Sequence, residues 1–317
     1  MTSTIETTRT TTRVRPRFEG SNICTWIGFK HVNYMVEEAV LDHLRQSGHA
    51  PGELYERYGL CVDIVDLDTR ILTAFHIDDT AEAIVTRQPD EDAFVLKVEL
   101  QVLRERAVRA VRSTVRVELR LDPRGFPVED VPAELLPATV DRLGTAPVAG
   151  TAPVAIPLGR QDPMWVLTKD RNAHAWSARM PYYYCHFTER VQMSGYLRQM
   201  EQALDLFVAE RGVSIKRLLD EQNWIPVVPQ SRIRFLDEAQ MEETMYTVFT
   251  VEQVFKRVTF TARMDCYVLR DDTLVPTATG TITHGWAVIE NRRDWSLVDF
   301  DDRLLAALSG RLAPSPS

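Results

Sequence analysis

Cysteine is scarce in this sequence of 317 residues. Its four thiols, Cys24, Cys61, Cys185 and Cys266, stand far apart, form no CxxC pair and are accompanied by no histidine cluster at metal-ligand spacing. Zinc sites and disulfide frameworks both depend on characteristic cysteine spacings. We therefore expect reduced thiols, as in a cytoplasmic protein, and no metal.

Long apolar runs are also missing. No stretch reaches the roughly 18 apolar residues that a transmembrane helix needs. The first twelve residues are rich in threonine and lack the apolar core of a secretory signal. We expect residues 1–12 and the final Ala-Pro-Ser-Pro-Ser to be disordered, and the protein to be cytoplasmic with no membrane contact.

Positive charge is in short supply, since the net charge is −8 and the isoelectric point lies near 5.5. Nucleic-acid-binding proteins usually carry basic patches on a basic background, so we expect no nucleic-acid partner. One run of arginines is the local exception; its members are Arg104, Arg106, Arg109, Arg112 and Arg116. It is either a solvated strand face or a surface for an acidic carrier protein or a phosphate-bearing arm.

What the sequence does contain is an internal repeat. Residues 22–39 and 186–203 read as two copies of one unit. The matched pairs, each 164 residues apart, are Glu37 with Glu201, Ala39 with Ala203 and Gly48 with Gly212. A helix that carries a carboxylate and ends in the same register twice indicates a duplication, so we expect any active site where the two units meet.

Each unit is predicted to combine one long amphipathic helix with several strands, which is an α+β pattern. In the first unit the helix covers residues 30–46, and the strands cover 13–18, 60–65, 71–77, 81–87, 94–103 and 108–121. In the second unit the helix covers residues 195–210, and the strands cover 175–187, 225–236, 244–254, 257–269 and 275–289. A proline-rich stretch separates the two sets.

The predicted division of the chain follows from this pattern. It comprises a disordered tail (1–12), an amino-terminal unit (13–121), a crossover (122–172), a carboxy-terminal unit (173–295) and a terminal segment with a disordered end (296–317).

A long helix wrapped by an antiparallel sheet, twice, resembles the double hotdog fold. The second unit carries Gly195-Tyr-Leu-Arg-Gln-Met-Glu-Gln-Ala-Leu, Val227-Val-Pro-Gln-Ser-Arg-Ile-Arg-Phe-Leu and Thr259-Phe-Thr-Ala-Arg-Met. These segments resemble the body of hotdog thioesterases of the 4-hydroxybenzoyl-CoA type. His186 stands where those enzymes usually place an aspartate.

The entrance to the second helix is similar to a different hotdog family. His186-Phe187, Arg190, Gly195 and Leu197 match the His-Phe-Pro-x-Arg-Pro-x-x-Pro-Gly-x-Leu pattern of β-hydroxyacyl-ACP dehydratases, although three of its prolines are absent. The acid that this pattern expects falls on Met200, one residue before Glu201.

Both resemblances imply a substrate acyl group joined by a thioester to CoA or to the phosphopantetheine of an acyl carrier protein, with no separate cofactor. A helix amino terminus in an apolar tunnel offers free N–H groups to the thioester carbonyl. Gly195 and the region of Lys30 and His31 would be those termini. Gly195 permits close approach of the backbone to the substrate, or merely makes a tight strand-to-helix turn.

His186, Glu37 and Glu201 are the predicted catalytic residues. An imidazole exchanges protons near neutrality because its unperturbed pKa is about 6.5. The two glutamates sit among apolar helix residues, where desolvation raises the pKa of a carboxyl. In hotdog dimers the site is shared across the interface, so the resemblance pairs His186 of the second unit with Glu37 of the first.

The predicted substrate-binding residues are Asn22, His31, Gly195, Tyr184 and Arg190. Asn22 occupies the position of His186 in the first unit and is either a substrate ligand or the remnant of a base. Tyr184 ends an aromatic run that we expect to form a cavity wall.

These features predict an enzyme that processes acyl thioesters, with hydrolysis first and dehydration of 3-hydroxyacyl thioesters close behind. An acyltransferase, a decarboxylase or a non-catalytic acyl-binding protein on the same fold are further alternatives. A fused pair of units fits either a monomer or a homodimer.

Overall fold

A computed structural model describes residues 9–88, 94–125, 129–156 and 161–310 of the chain. The first block contains β1 (Arg9–Val14), α1 (Phe29–Gln46), α2 (Pro51–Tyr58), β2 (Leu60–Ile71), β3 (Ala81–Gln88), β4 (Phe94–Leu103) and β5 (Ala107–Leu121). The crossover adds β6 (Thr139–Val140), β7 (Val154–Ala155) and α3 (Pro163–Thr168).

The second block repeats this order. It contains β8 (Ala173–Arg179), β9 (Cys185–His186), β10 (Arg190–Val191), α4 (Met193–Glu210), α5 (Ile215–Gln222), β11 (Trp224–Phe235), β12 (Thr244–Phe255), β13 (Thr259–Arg270) and β14 (Thr273–Ile289). β15 (Trp295–Leu297) and α6 (Asp302–Leu308) follow. The first residues of β1 and β8, of α1 and α4, of α2 and α5, and of β2 and β11 are each 164 apart.

The sheet joins the two blocks through their equivalent strands. Its order is β1-β3-β4-β5-β2-β11-β14-β13-β12-β8, so each half repeats the other outward from the centre. β2 and β11 pair antiparallel at the seam, where Leu67 lies opposite Ile233. The seam is therefore continuous sheet.

The long helices form because their apolar residues recur at helical spacing. Val32, Val36 and Val40 of α1 are almost completely buried, since this stripe packs against the sheet. Gly48 and Gly212 follow the two helices with positive φ angles of 81° and 76°, a conformation that glycine adopts without a steric penalty.

Several predicted boundaries were wrong. The expected disordered tail (1–12) is replaced from Arg9 onward by β1, which pairs antiparallel with β3. The expected strand at 13–18 therefore lies earlier, and Phe18–Gly20 is a short 3-10 helix. Residues 1–8 and the Ala-Pro-Ser-Pro-Ser end lie outside the described residues.

Two expected strands were also misjudged. β2 continues to Ile71, and residues 72–77 form a loop in which Leu72 donates its N–H to Ala110 O. The strand expected at 175–187 stops at Arg179, because Pro181 has no N–H for a sheet ladder and begins the 3-10 helix Tyr182–Tyr184. The other predicted domain limits, at residues 121, 172 and 295, stay predictions.

The short helices α2 and α5 were missed, although α2 begins at a proline and ends before Gly59 in the left-handed conformation.

Within the described ranges, no helix combines the length and apolar character needed to cross a membrane.

Three members of the arginine run pair with acidic side chains. Arg104 lies 2.6 Å from Asp79, Arg109 lies 2.8 Å from Glu99, and Arg116 lies 3.5 Å from Glu118. These ion pairs favour the solvated-strand interpretation of the run.

Candidate active site

A cavity of about 110 Å³ lies between α1, the beginning of α4 and the central strand β2. Its lining includes Glu37, Leu41, Val62, Ile64, His186 and Met193. Both blocks contribute to it, so the cavity stands at the seam where the duplication predicted a site. Its mouth reaches solvent, because Glu37, Leu41 and His186 are only partly buried.

Glu37 presents its carboxyl to this cavity from the middle of α1. Burial raises the pKa of Glu37 from its ordinary value of 4.5 to about 7, while the facing His186 opposes this shift. The carboxyl therefore exchanges its proton near neutral pH, as a general acid or base must.

His186 is held in place by a carboxylate of the first block. Its Nε2 lies 2.6 Å from Asp63 Oδ1. An ionised carboxylate only accepts hydrogen bonds, so Nε2 donates and carries the proton. Nδ1 is then the ring nitrogen that can accept a proton.

Asp63 is almost completely buried in β2 and also bonds the guanidinium of Arg190. Arg190 Nη2 donates to Asp63 Oδ2 at 3.0 Å. Burial alone would raise the pKa of Asp63, but the hydrogen bond and charge of His186 and the charge of Arg190 outweigh it and hold the pKa below its ordinary value. A buried carboxylate is tolerated when it is paired in this way.

Asp63 was not among the predicted site residues. The available signal was a charged residue inside the apolar run from Leu60 to Val65, all of whose residues are buried. Such a residue requires a partner, but the sequence does not say which one.

The amino terminus of α4 adjoins the cavity through Gln192 and Met193. The first N–H groups of a helix have no intrahelical acceptor. Gly195 donates its N–H to Gln192 O at 2.9 Å, so Met193 and Ser194 supply the free amides of the first turn.

Gly195 itself is outside the cavity lining. A Cβ at this position would lie 2.9 Å from Val191 Cγ1 and 3.2 Å from Tyr184 O. Its missing side chain allows α4 to pack against the preceding segment, which is the tight-turn alternative.

Arg190 and Tyr184 also make contacts within the protein, away from the cavity lining. Arg190 is buried and binds Asp63, so it positions a carboxylate and has no exposed surface to offer a substrate. Tyr184 is outside the cavity lining; its ring faces the Arg198 guanidinium at 5.6 Å, and its carbonyl accepts the N–H of Gln192.

Glu201 faces the opposite end of the helix pair. Its Oε2 lies 2.7 Å from Lys30 Nζ at the start of α1, and its side chain is 44% exposed. The two glutamates thus occupy equivalent positions, each near the first turn of the other long helix. Only Glu37 shares a cavity with His186.

Asn22 and His31 remain at that opposite end. Asn22 is exposed, while His31 is buried, with its Nε2 3.7 Å from Glu19 Oε1 and burial lowering its pKa. The structure therefore does not bring Asn22, His31 or Glu201 to the cavity.

The comparisons with known proteins agree with this architecture. Residues 166–308 match the family model of the thioesterase-like superfamily. No curated protein matches the chain.

Three solved structures share the fold over nearly the whole chain. A putative oleoyl thioesterase from Lactobacillus plantarum is 12% identical, with 89% of this chain and 96% of that chain covered and a TM-score of 0.58. A 12:0-ACP thioesterase from Umbellularia californica is 12% identical, with 92% and 94% covered and a TM-score of 0.57. An acyl-ACP thioesterase from Bacteroides thetaiotaomicron VPI-5482 is 10% identical, with 89% and 99% covered and a TM-score of 0.52.

At these identities the likeness concerns the fold alone. The predicted α+β double hotdog fold is confirmed. The predicted resemblance to the hotdog thioesterase superfamily is confirmed as well, through the family match over residues 166–308.

Proposed function

We propose that this protein hydrolyses an acyl thioester carried on CoA or on the phosphopantetheine of an acyl carrier protein. The superfamily match and the fold shared with acyl-ACP thioesterases support thioester chemistry. The observation that carries the proposal is Glu37, whose carboxyl has a pKa of about 7 and lines one cavity with His186 beside the start of α4.

In this mechanism Glu37 acts as the general base. Its carboxylate takes a proton from a water molecule as the water oxygen attacks the thioester carbon. The carbonyl oxygen becomes an oxyanion next to the free N–H groups of Met193 and Ser194. A helix amino terminus stabilises such a charge through its amides and its dipole.

Collapse of the tetrahedral intermediate breaks the carbon–sulfur bond. The thiolate leaves as a thiol with the proton returned from Glu37, either directly or by way of His186 Nδ1, and the carboxylic acid remains as the second product. Asp63 and Arg190 act on this step indirectly, because they fix the orientation of the His186 ring.

The decisive experiment compares two adjacent glutamates. Thiol release from a panel of acyl-CoA and acyl-carrier-protein substrates is measured for the unaltered protein, Glu37→Gln and Glu38→Gln. Glu38 is an exposed neighbour whose nearest cation is Arg17 at 3.6 Å, so it is the matched control.

Loss of a general base typically costs about 10²–10⁴-fold in rate, which we expect for Glu37→Gln alone. Thiol release that survives Glu37→Gln, or its absence from the unaltered protein, would contradict the proposal.

Dehydration of a 3-hydroxyacyl thioester is the second candidate. The observation that favours it is the pairing of an imidazole from one block with a carboxyl from the other. His186 Nδ1 would remove the α-proton, and protonated Glu37 would give its proton to the β-hydroxyl, which leaves as water.

Mass spectrometry separates the two reactions. A product lighter by one water with the thioester intact identifies dehydration, whereas free thiol identifies hydrolysis. Binding of acyl-CoA without either product identifies a non-catalytic acyl-binding protein.

A further inference from the structure

The candidate cavity is small for a site that must hold an acyl group. Its volume is about 110 Å³. An engineered apolar cavity of roughly 150 Å³ accommodates a benzene molecule. By that measure, the cavity holds an acyl group no larger than about one aromatic ring.

Along both long helices, the cavity-lining residues are followed by fully packed side chains. Tyr196 lies one helical turn beyond the lining residue Met193 and is completely buried, with its ring centroid 4.9 Å from that of Phe235. Leu44 follows Leu41 on α1 at the same spacing and is 2% exposed. Protein interiors packed in this way leave no room for additional methylene groups.

The direction in which the substrate enters decides which part of it must fit inside the cavity. The carrier arm of an acyl thioester is long and polar, so it must occupy the solvent-exposed mouth beside His186. The acyl group then points inward, toward Val62, Ile64 and Met193. These lining residues are apolar, which suits a hydrocarbon or aromatic group and no second charge.

We infer that this site takes short or compact acyl groups, up to about the size of benzoyl, and excludes long fatty acyl chains, with Met193 and Ile64 setting the limit. The inference rests on the proposed function for its substrate class. It adds a size restriction that the proposed reaction alone does not require.

The first test measures thiol release from acetyl-, butyryl-, hexanoyl-, benzoyl-, dodecanoyl- and hexadecanoyl-CoA. We expect kcat/KM for the best short or aromatic substrate to exceed that for dodecanoyl-CoA at least tenfold. Equal or higher kcat/KM for dodecanoyl- or hexadecanoyl-CoA overturns the inference while leaving hydrolysis established.

A binding measurement keeps the two proposals distinguishable. Titration calorimetry with the non-hydrolysable thioethers S-butyl-CoA and S-dodecyl-CoA reports acyl size preference without turnover. If no thioester is hydrolysed, the proposed function fails. At least tenfold tighter binding of S-butyl-CoA then still supports the size limit, and equal or tighter binding of S-dodecyl-CoA overturns it.

Substitution of the limiting residues tests their assignment. Met193→Ala enlarges the cavity, and the substrate optimum is expected to move toward longer chains. Met264→Ala is the matched control, because Met264 is a completely buried methionine of β13 outside the cavity lining. Ile64→Val provides a second, milder enlargement on the inner side, where the loss of packing is smaller. An unchanged chain-length profile in both enlarged variants overturns the assignment.

Discussion

The carboxyl of Glu37 determines how the proposed activity depends on pH. Because burial raises the pKa of Glu37 to about 7, only part of the population carries the ionised base at neutral pH. We expect kcat/KM for thioester hydrolysis to rise with pH and to level off above about pH 8. A profile measured from pH 5.5 to 9 that is flat, or that falls through pH 7, would exclude Glu37 as the base.

The same pKa shift predicts an effect on stability. The folded state binds the Glu37 proton more tightly than the unfolded state, so this residue lowers the free energy of unfolding as pH rises from about 4.5 through 7. Glu37→Gln should therefore stabilise the protein at pH 8, by at most about 3 kcal/mol, and have little effect at pH 4.5. Urea unfolding at both pH values measures the difference. A larger gain at pH 4.5 would reverse the sign and refute the account.

Asp63 is expected to matter for both folding and catalysis. Asp63→Asn leaves the buried Arg190 guanidinium unpaired, which costs about 3–5 kcal/mol, and releases His186 from its orientation. Since the pKa of Asp63 is lowered in the folded state, its stabilising contribution is present above about pH 4 and is lost as the pH falls.

Asp66 supplies the control for Asp63. It lies on the same strand and binds Arg232 at 2.6 Å, but this pair is partly exposed, so Asp66→Asn should cost no more than about 1 kcal/mol. Melting temperature and kcat are measured for both variants. Equal effects of Asp63→Asn and Asp66→Asn would contradict the role of Asp63 in pairing Arg190 and orienting His186.

At the scale of elements, the approach of α4 to the preceding segment depends on Gly195. A methyl group there meets Val191 at 2.9 Å, so Gly195→Ala must shift the start of α4 and with it the Met193 amide at the cavity. Overpacking of this kind costs about 1–3 kcal/mol. We expect a lower melting temperature together with a reduced kcat.

Gly52 provides the comparison for that substitution. It is a glycine of α2, and a Cβ added to it would meet nothing within 4 Å apart from its chain neighbours and its own helix backbone, so Gly52→Ala should be neutral or stabilise by up to about 1 kcal/mol. Circular dichroism melts of both variants test the packing argument. An unchanged melting temperature for Gly195→Ala would show that the segment before α4 can move away from the added methyl group without a loss of stability.

At the scale of the whole molecule, the two blocks share one core. Buried apolar residues of α1 and α4 belong to a single continuous cluster, and β2 pairs with β11 across the seam. We therefore predict one cooperative unfolding transition for both blocks, despite the duplication. Hydrogen exchange followed by mass spectrometry over α1 and α4 peptides tests this, and two separate unfolding midpoints would contradict it.

The repeat itself could be predicted from the sequence because its signals are local. The apolar spacing of α1 and the glycines at 48 and 212 act within a few residues, so the helix positions and the offset of 164 were both predictable. Strand ends depend on partners elsewhere in the sheet, which is why β1 and β2 were misplaced.

At the candidate site, some features follow from the sequence and others only from the tertiary structure. The sequence alone determined that a duplicated helix would carry a glutamate in each copy and that His186 precedes the second helix. Only the tertiary structure decided that Glu37 lines one cavity with His186, whereas Glu201 forms an ion pair with Lys30. The tertiary structure also brings Asp63, which is 123 residues away in the chain, into a hydrogen bond with His186. Hydrogen bonds and desolvation act through space, so residues with similar local sequence acquire different chemistry from the neighbours that folding brings to them.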